Sequence, residues 1–285
     1  MAKWPDEQTW VENSRSVRPF VQLRSIGEAY LSDVVLDGEN RLARLVVFAR
    51  EFTRNDSMRI KITPRYLVAF AALTLLCGTS HEFAHHFAAA GICGEFGYKT
   101  FNSFKLADGC EYNPWRLWAT AAGPILTFGL MWWGAKMLLS GKLESRGLGF
   151  ALVFANFPVN RMLFALLGFN DEQWIAQQMY GDSRMAFWVT SVLVWVACVP
   201  PLVVAYRAMD RRRRPLWFAA FFLLPFVFVL LFAGFFLEEF LLLKHHVLAT
   251  PLLGIPLLVL LVEVVSLLIY HALRNELKEG PAVSA

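Results

Sequence analysis

Stretches of twenty or more mostly apolar residues recur along this chain, and few folds can absorb them. A helix crosses about 30 Å of hydrocarbon with about 20 residues, and it satisfies its own backbone groups while doing so. Read this way, the sequence predicts six spans, at about 66–92, 114–139, 147–168, 185–207, 215–237 and 248–273. Composition agrees: 56% of the 285 residues are apolar and only 18% are charged, which sets the chain apart from ordinary soluble domains. The expected fold is an all-α polytopic membrane protein of about six transmembrane helices. A short hairpin or re-entrant loop follows the first span, and a small cytoplasmic region precedes it. The predicted divisions are an N-terminal soluble or membrane-surface region (1–64), a three-helix core (65–182) and three further helices with a tail (183–285).

Cation placement predicts orientation, because Lys and Arg collect on the cytoplasmic side. Residues 1–65 carry eleven of them. Lys142 and Arg146 follow the second predicted span, and Arg207 with Arg211–Arg214 follow the fourth. Alternate loops are poorer in cations. Both termini are therefore expected in the cytoplasm, most simply at the cell membrane. The Arg211–Arg214 run is explained by topology, so no nucleic-acid partner is expected. The N-terminus has no hydrophobic core of a signal peptide. Four cysteines are too few and too scattered for a disulfide scaffold; Cys93 and Cys110, which flank one loop, can pair if that loop faces an oxidising compartment.

The chemistry concentrates at His81-Glu82-Phe83-Ala84-His85. Two histidines four residues apart lie on one face of a helix, the spacing that lets both imidazoles grip one Zn2+. Glu82 projects about 100° around the helix, where it can activate zinc-bound water without ligating the metal. The run Tyr66–Ser80 leads directly into the motif, placing His81 about 22 Å along the helix from Tyr66. Ionisable groups at such a depth need a compensating partner, and a metal supplies one. The bland alternative is a hydrogen-bonded polar seam. His86 falls off the ligand face.

With this motif, Ala122-Gly123-Pro124 in the next span, and Asn156 with Pro158 followed by Asn170-Asp171, the chain resembles the site-2 protease family of intramembrane zinc metalloproteases (M50-like). The resemblance covers about residues 66–180. It implies peptide-bond hydrolysis in or near the membrane, one Zn2+ per chain, a membrane-embedded or membrane-proximal protein substrate, and Asp171 as third ligand. Glu172 and Asp182 remain competitors. It also implies that Asn156 binds the substrate backbone or the developing oxyanion. The chain departs from the family's pattern at Ala84, where Gly is usual, in the two-residue step from Asn156 to Pro158, in Asp171 lying farther downstream than usual, and at Glu172, again in place of Gly. The family's catalytic end generally lies towards the cytoplasm, whereas the cation pattern here places it outside.

The segment Gly94–Asn113 is too polar to span and reads as a hairpin whose edge could hold a substrate extended. Glu263 is a carboxylate deep in the sixth predicted span, and Lys244-His245-His246 reads as interfacial. A membrane di-iron oxygenase or desaturase is the alternative enzyme class, but the chain has six histidines where about eight are needed. A catalytically silent membrane scaffold is the third reading.

Overall fold

The computed structural model describes residue 58 and residues 62–140, 143–210 and 213–278, without the side chains of 143 and 144. The expected N-terminal region lies almost wholly outside these residues, as do Lys142, Arg211 and Arg212. The described chain is mostly helical, and five helical stretches, Pro64–Cys93, Ser145–Tyr180, Arg184–Ala208, Arg214–Lys244 and Leu257–Leu277, are long and apolar enough to cross a membrane. By length and composition these helices point to a membrane protein.

Helix α1 (Pro64–Cys93) starts where Thr63 Oγ1 accepts from the Tyr66 amide at 3.0 Å, with Pro64 in the first turn, and stops at Gly94, whose φ is 79°. Each is an ordinary cap, and the left-handed stop suits only glycine cheaply. A hairpin follows, β1 (Tyr98–Lys99) antiparallel to β2 (Phe104–Lys105), then a 3-10 turn at Cys110–Tyr112. Cys93 and Cys110 are joined by a disulfide, which ties the end of α1 to that turn.

Helix α2 (Arg116–Leu139) is 24 residues long, matching the second predicted span, but it is not among the five. Its Gly, Thr, Pro and Trp residues dilute its apolar character. Those small residues serve packing instead. A Cβ on Gly134 would lie 2.7 Å from the Gly149 carbonyl, and one on Gly149 would lie 2.6 Å from the Gly134 carbonyl. The α2 backbone thus touches α3 (Leu143–Ala155) directly, as small residues allow between membrane helices.

The third predicted span is broken rather than continuous. α3 ends at Ala155, α4 covers Pro158–Leu167 and α5 covers Asp171–Tyr180. The first break has a local cause. Pro158 donates no amide hydrogen, and Phe157 sits at φ 36°. α6 (Arg184–Ala208) and α7 (Arg214–Phe228) follow. The fifth predicted span does not stop near 237: α7 continues as a π-helix, Val229–Lys244. The start of the sixth is a hairpin, β3 (Pro251–Leu252) with β4 (Ile255–Pro256), and α8 (Leu257–Leu273) begins only after it. Leu253 and Gly254 both have positive φ, at 52° and 76°, as a two-residue hairpin turn requires. The amide of Lys99 donates to the Gly254 carbonyl at 2.9 Å, so the two hairpins meet.

Candidate metal centre

α1 presents His81 and His85 inward, and both are buried. The third group arrives from α5. Asn170 caps that helix by accepting from the Gln173 amide at 3.1 Å, which leaves Asp171 in the first turn, where the helix dipole favours a carboxylate. Gln173 then fastens α5 in place: its Nε2 reaches the Ala165 carbonyl at 3.0 Å and Ser191 Oγ at 2.9 Å.

The three groups converge through single atoms. His81 Nε2 and His85 Nε2 are 2.9 Å apart. Asp171 Oδ2 is 3.2 Å from the first and 3.6 Å from the second. A tetrahedral ion with bonds of 2.0–2.1 Å has edges of about 3.3 Å, so the triangle is close to the size zinc needs. Among the described residues this is the one group of three such side chains within metal-binding reach of one another.

The outer nitrogens are held as well. His85 Nδ1 donates to the Ala119 carbonyl at 2.9 Å, and His81 Nδ1 lies 2.9 Å from Thr127 Oγ1. A proton on His85 Nδ1 leaves the Nε2 lone pair of the neutral ring free, aimed at a carboxylate. That arrangement suits a cation at its centre, and such outer partners are what orient histidine ligands. Both partners come from α2. So does Gly123, whose position against the two imidazoles leaves no room for a side chain. Phe104 of β2 covers the other face of His85, its ring stacked 4.4 Å away.

Beside the triangle lies a cavity of about 370 Å3, walled by α1, α4, the π-helix and the β1–β2 turn. His81, Glu82 and Asp171 line it together with Asn160 and Arg161, and much of the rest is phenylalanine. Glu82 therefore faces the same space as the ligand atoms.

The remaining expected residues fall as follows. Asn156 is buried, donates from Nδ2 to the Leu152 carbonyl of its own helix at 2.7 Å, and is not part of the cavity wall; Asn160 is. Glu172 is close to Arg161, and Asp182 is not in the triangle. His86 lies 2.9 Å, through Nε2, from the Leu253 carbonyl of the second hairpin. His245, His246 and His271 are exposed and are not brought to the site. Glu263 of α8 faces Thr79 of α1.

Sequence reasoning missed two cations. Arg161 is buried, with Nη1 3.0 Å from Asp171 Oδ2 and Nη2 2.8 Å from His81 Nδ1. The signal was available: an arginine amid the apolar residues Pro158–Leu167 should have raised the question that an intramembrane charge always raises. Lys99 of β1 is fully buried, its Nζ 4.1 Å above the Phe83 ring and donating to the Thr100 carbonyl at 3.0 Å. Burial pulls its ammonium down to about 8, against the opposing pull of Glu82, Glu263 and Glu238. Nothing in the sequence marked it, because the fold buries it by docking one hairpin on another.

Compared with known protein families, curated proteins and solved structures, the chain matches none. Any functional reading rests on the site itself.

Proposed function

We propose that this chain is an intramembrane zinc metalloprotease, of the kind the site-2 protease family represents, cutting a peptide bond in or near the membrane. One observation carries the reading: two imidazoles and a carboxylate from different membrane-class helices converge by single atoms beside Glu82, at the wall of a cavity.

Bound there, zinc would polarise the scissile carbonyl and acidify a water molecule. His81, His85 and Asp171 would hold it. Glu82 takes a proton from the attacking water as the carbon–oxygen bond forms, then delivers that proton to the amine nitrogen as the carbon–nitrogen bond breaks. The phenylalanine-rich wall excludes bulk water and receives apolar side chains of the substrate. β1 is engaged on both sides, by β2 and by the Gly254 carbonyl, which leaves β2 as the outer strand, next to His85. An extended substrate segment can add to that edge, as a helix must be unwound before it is cut.

In this reading α2 is also a span, making six, and both termini are cytoplasmic at the cell membrane. The Cys93–Cys110 disulfide supports an outward-facing hairpin, since such bonds persist in oxidising compartments. The centre then lies towards the outer side, and the substrate is a membrane protein cut near its extracytoplasmic end.

The test pairs metal analysis with cleavage of a co-expressed single-span reporter substrate. Wild type carries one zinc and cuts; Glu82→Gln carries one zinc and does not. A Glu82→Gln protein that cuts at the wild-type rate, or a wild type free of zinc, removes the proposal.

A further inference from the structure

Catalytic zinc sites differ from structural ones in a single respect: three protein ligands leave a position open, whereas four close it. This centre has a possible fourth ligand, a second carboxylate, at hand. Glu172 follows Asp171 directly in the first turn of α5, and both of its oxygens are buried without a hydrogen-bond partner. A buried carboxylate with unmet oxygens, one residue from a ligand of a bound divalent cation, would have an electrostatic reason to ligate it. Something must hold it off.

Arg161 is placed to do so. The same Nη1 that stands 3.0 Å from Asp171 Oδ2 stands 3.6 Å from Glu172 Oε2, and the guanidinium is itself buried in α4. Its charge cannot be relieved by losing a proton, because the guanidinium remains protonated throughout the range in which proteins function. A bound metal would already neutralise Asp171, so the guanidinium, which also touches His81 through Nη2, would be left to balance the second carboxylate. We infer that Arg161 is a positioning residue which pairs with Glu172, keeps it out of the ligand set, and so preserves the open position that hydrolysis requires. This assignment rests on the proposed metal centre, and it explains why Asp171 rather than Glu172 completes the triangle.

The inference predicts a counterintuitive result. Taking away a positive charge beside a cation site should leave metal binding intact, yet close the site. The test uses full-length protein in detergent, loaded with Co2+ and titrated with azide, a small anion that shifts the visible Co2+ spectrum where a coordination position is open. Wild type is expected to respond to azide, and so is Arg161→Lys, which retains the charge. Arg161→Met binds Co2+ with affinity equal to or above wild type but loses the azide response, and reporter cleavage falls at least a hundredfold. The double variant Arg161→Met/Glu172→Gln removes both buried charges and regains the azide response.

An azide response in Arg161→Met equal to wild type overturns the assignment while leaving the metal centre standing. So does a silent double variant. Should Arg161→Met not fold, Arg161→Gln, neutral but polar, takes its place with Glu172 intact: a lost azide response supports the assignment and a wild-type response removes it. A wild type that binds no Co2+ brings down the metal centre and this inference together.

Discussion

A Cβ atom added to Gly123 would lie 2.3 Å from Nε2 of His85, the atom that faces His81 and Asp171 in the candidate metal centre. It would also lie 2.5 Å from Cε1 of His81. The α2 backbone thus forms one wall of the ligand pocket, and no side chain fits between that wall and the imidazoles. Neither ring can give way cheaply, since Ala119 and Thr127 hold their other nitrogens.

Gly123→Ala should therefore displace both imidazoles. Overpacking of this kind costs about 1–3 kcal/mol in stability, which a folded protein of this size tolerates. The metal should suffer more than the fold, with zinc affinity down at least tenfold. Zinc content after dialysis, read beside the melting temperature, checks this. A folded Gly123→Ala protein with its full zinc complement would show that the wall is softer than its geometry states.

Asn156 and Asn160 are expected to part company. Asn156 is 1% exposed and spends its side-chain amide on the Leu152 carbonyl, one turn back in the chain. Its loss removes one buried hydrogen bond, about 1 kcal/mol of stability, and should register as a lower melting temperature. Asn160 lines the cavity, and its Oδ1 is buried with no partner, free to accept from a substrate amide. Asn160→Ala should reduce kcat/KM roughly tenfold, equivalent to about 1.4 kcal/mol of binding. If Asn156→Ala carries the kinetic defect and Asn160→Ala the thermal one, the two assignments must be exchanged.

The disulfide gives a handle on which way the centre faces. In intact cells, a membrane-impermeant maleimide should leave Cys93 and Cys110 unlabelled until an impermeant phosphine reduces them. Cys77 and Cys198 are buried and stay silent throughout. Labelling without reduction would contradict the pairing, and labelling only after cell lysis would contradict the outward orientation. Replacing both cysteines by serine should cost about 3 kcal/mol, the usual figure for a closed loop of this length.

How much of this was legible beforehand depends on the range over which each signal acts. His81, Glu82 and His85 were readable because five consecutive residues of one helix contain the whole pattern. Asp171 was nameable only by resemblance, since its approach depends on how α3, α4 and α5 break and turn. Pro158 hinted at the break, but nothing local said that Asn156 would turn inward on its own helix while Asn160 faced the cavity. The Leu253–Gly254 turn was hidden because leucines around it read as span. Glu238 misled in a similar way. It looked like the end of a span, yet it accepts from Thr100 Oγ1 at 2.9 Å and from the Asn102 amide at 2.9 Å, so the helix carries it past that point to meet the hairpin. Such pairings link positions more than a hundred residues apart, and periodicity cannot see them.

Lys99 supplies the pH dependence. Its ammonium is buried in the folded protein with a pKa of about 8, against 10.5 for an unburied lysine. Between these values the unfolded chain binds the proton and the folded chain does not, so raising the pH favours the folded state. Below about pH 8 both states are protonated and the full cost of burying the charge is present. Above about 10.5 neither is, and that cost has vanished. Stability should rise across this window by on the order of 3 kcal/mol, at 1.36 kcal/mol per unit of pKa difference. Other groups titrate there too, so the diagnostic quantity is the difference between wild type and Lys99→Met. Melting temperatures in detergent from pH 7 to pH 10.5 should climb more steeply in wild type, with the variant's curve flatter by the lysine's share. Parallel curves would mean that Glu82, Glu238 and Glu263 compensate the buried ammonium fully, and that the docked hairpin carries no titratable strain.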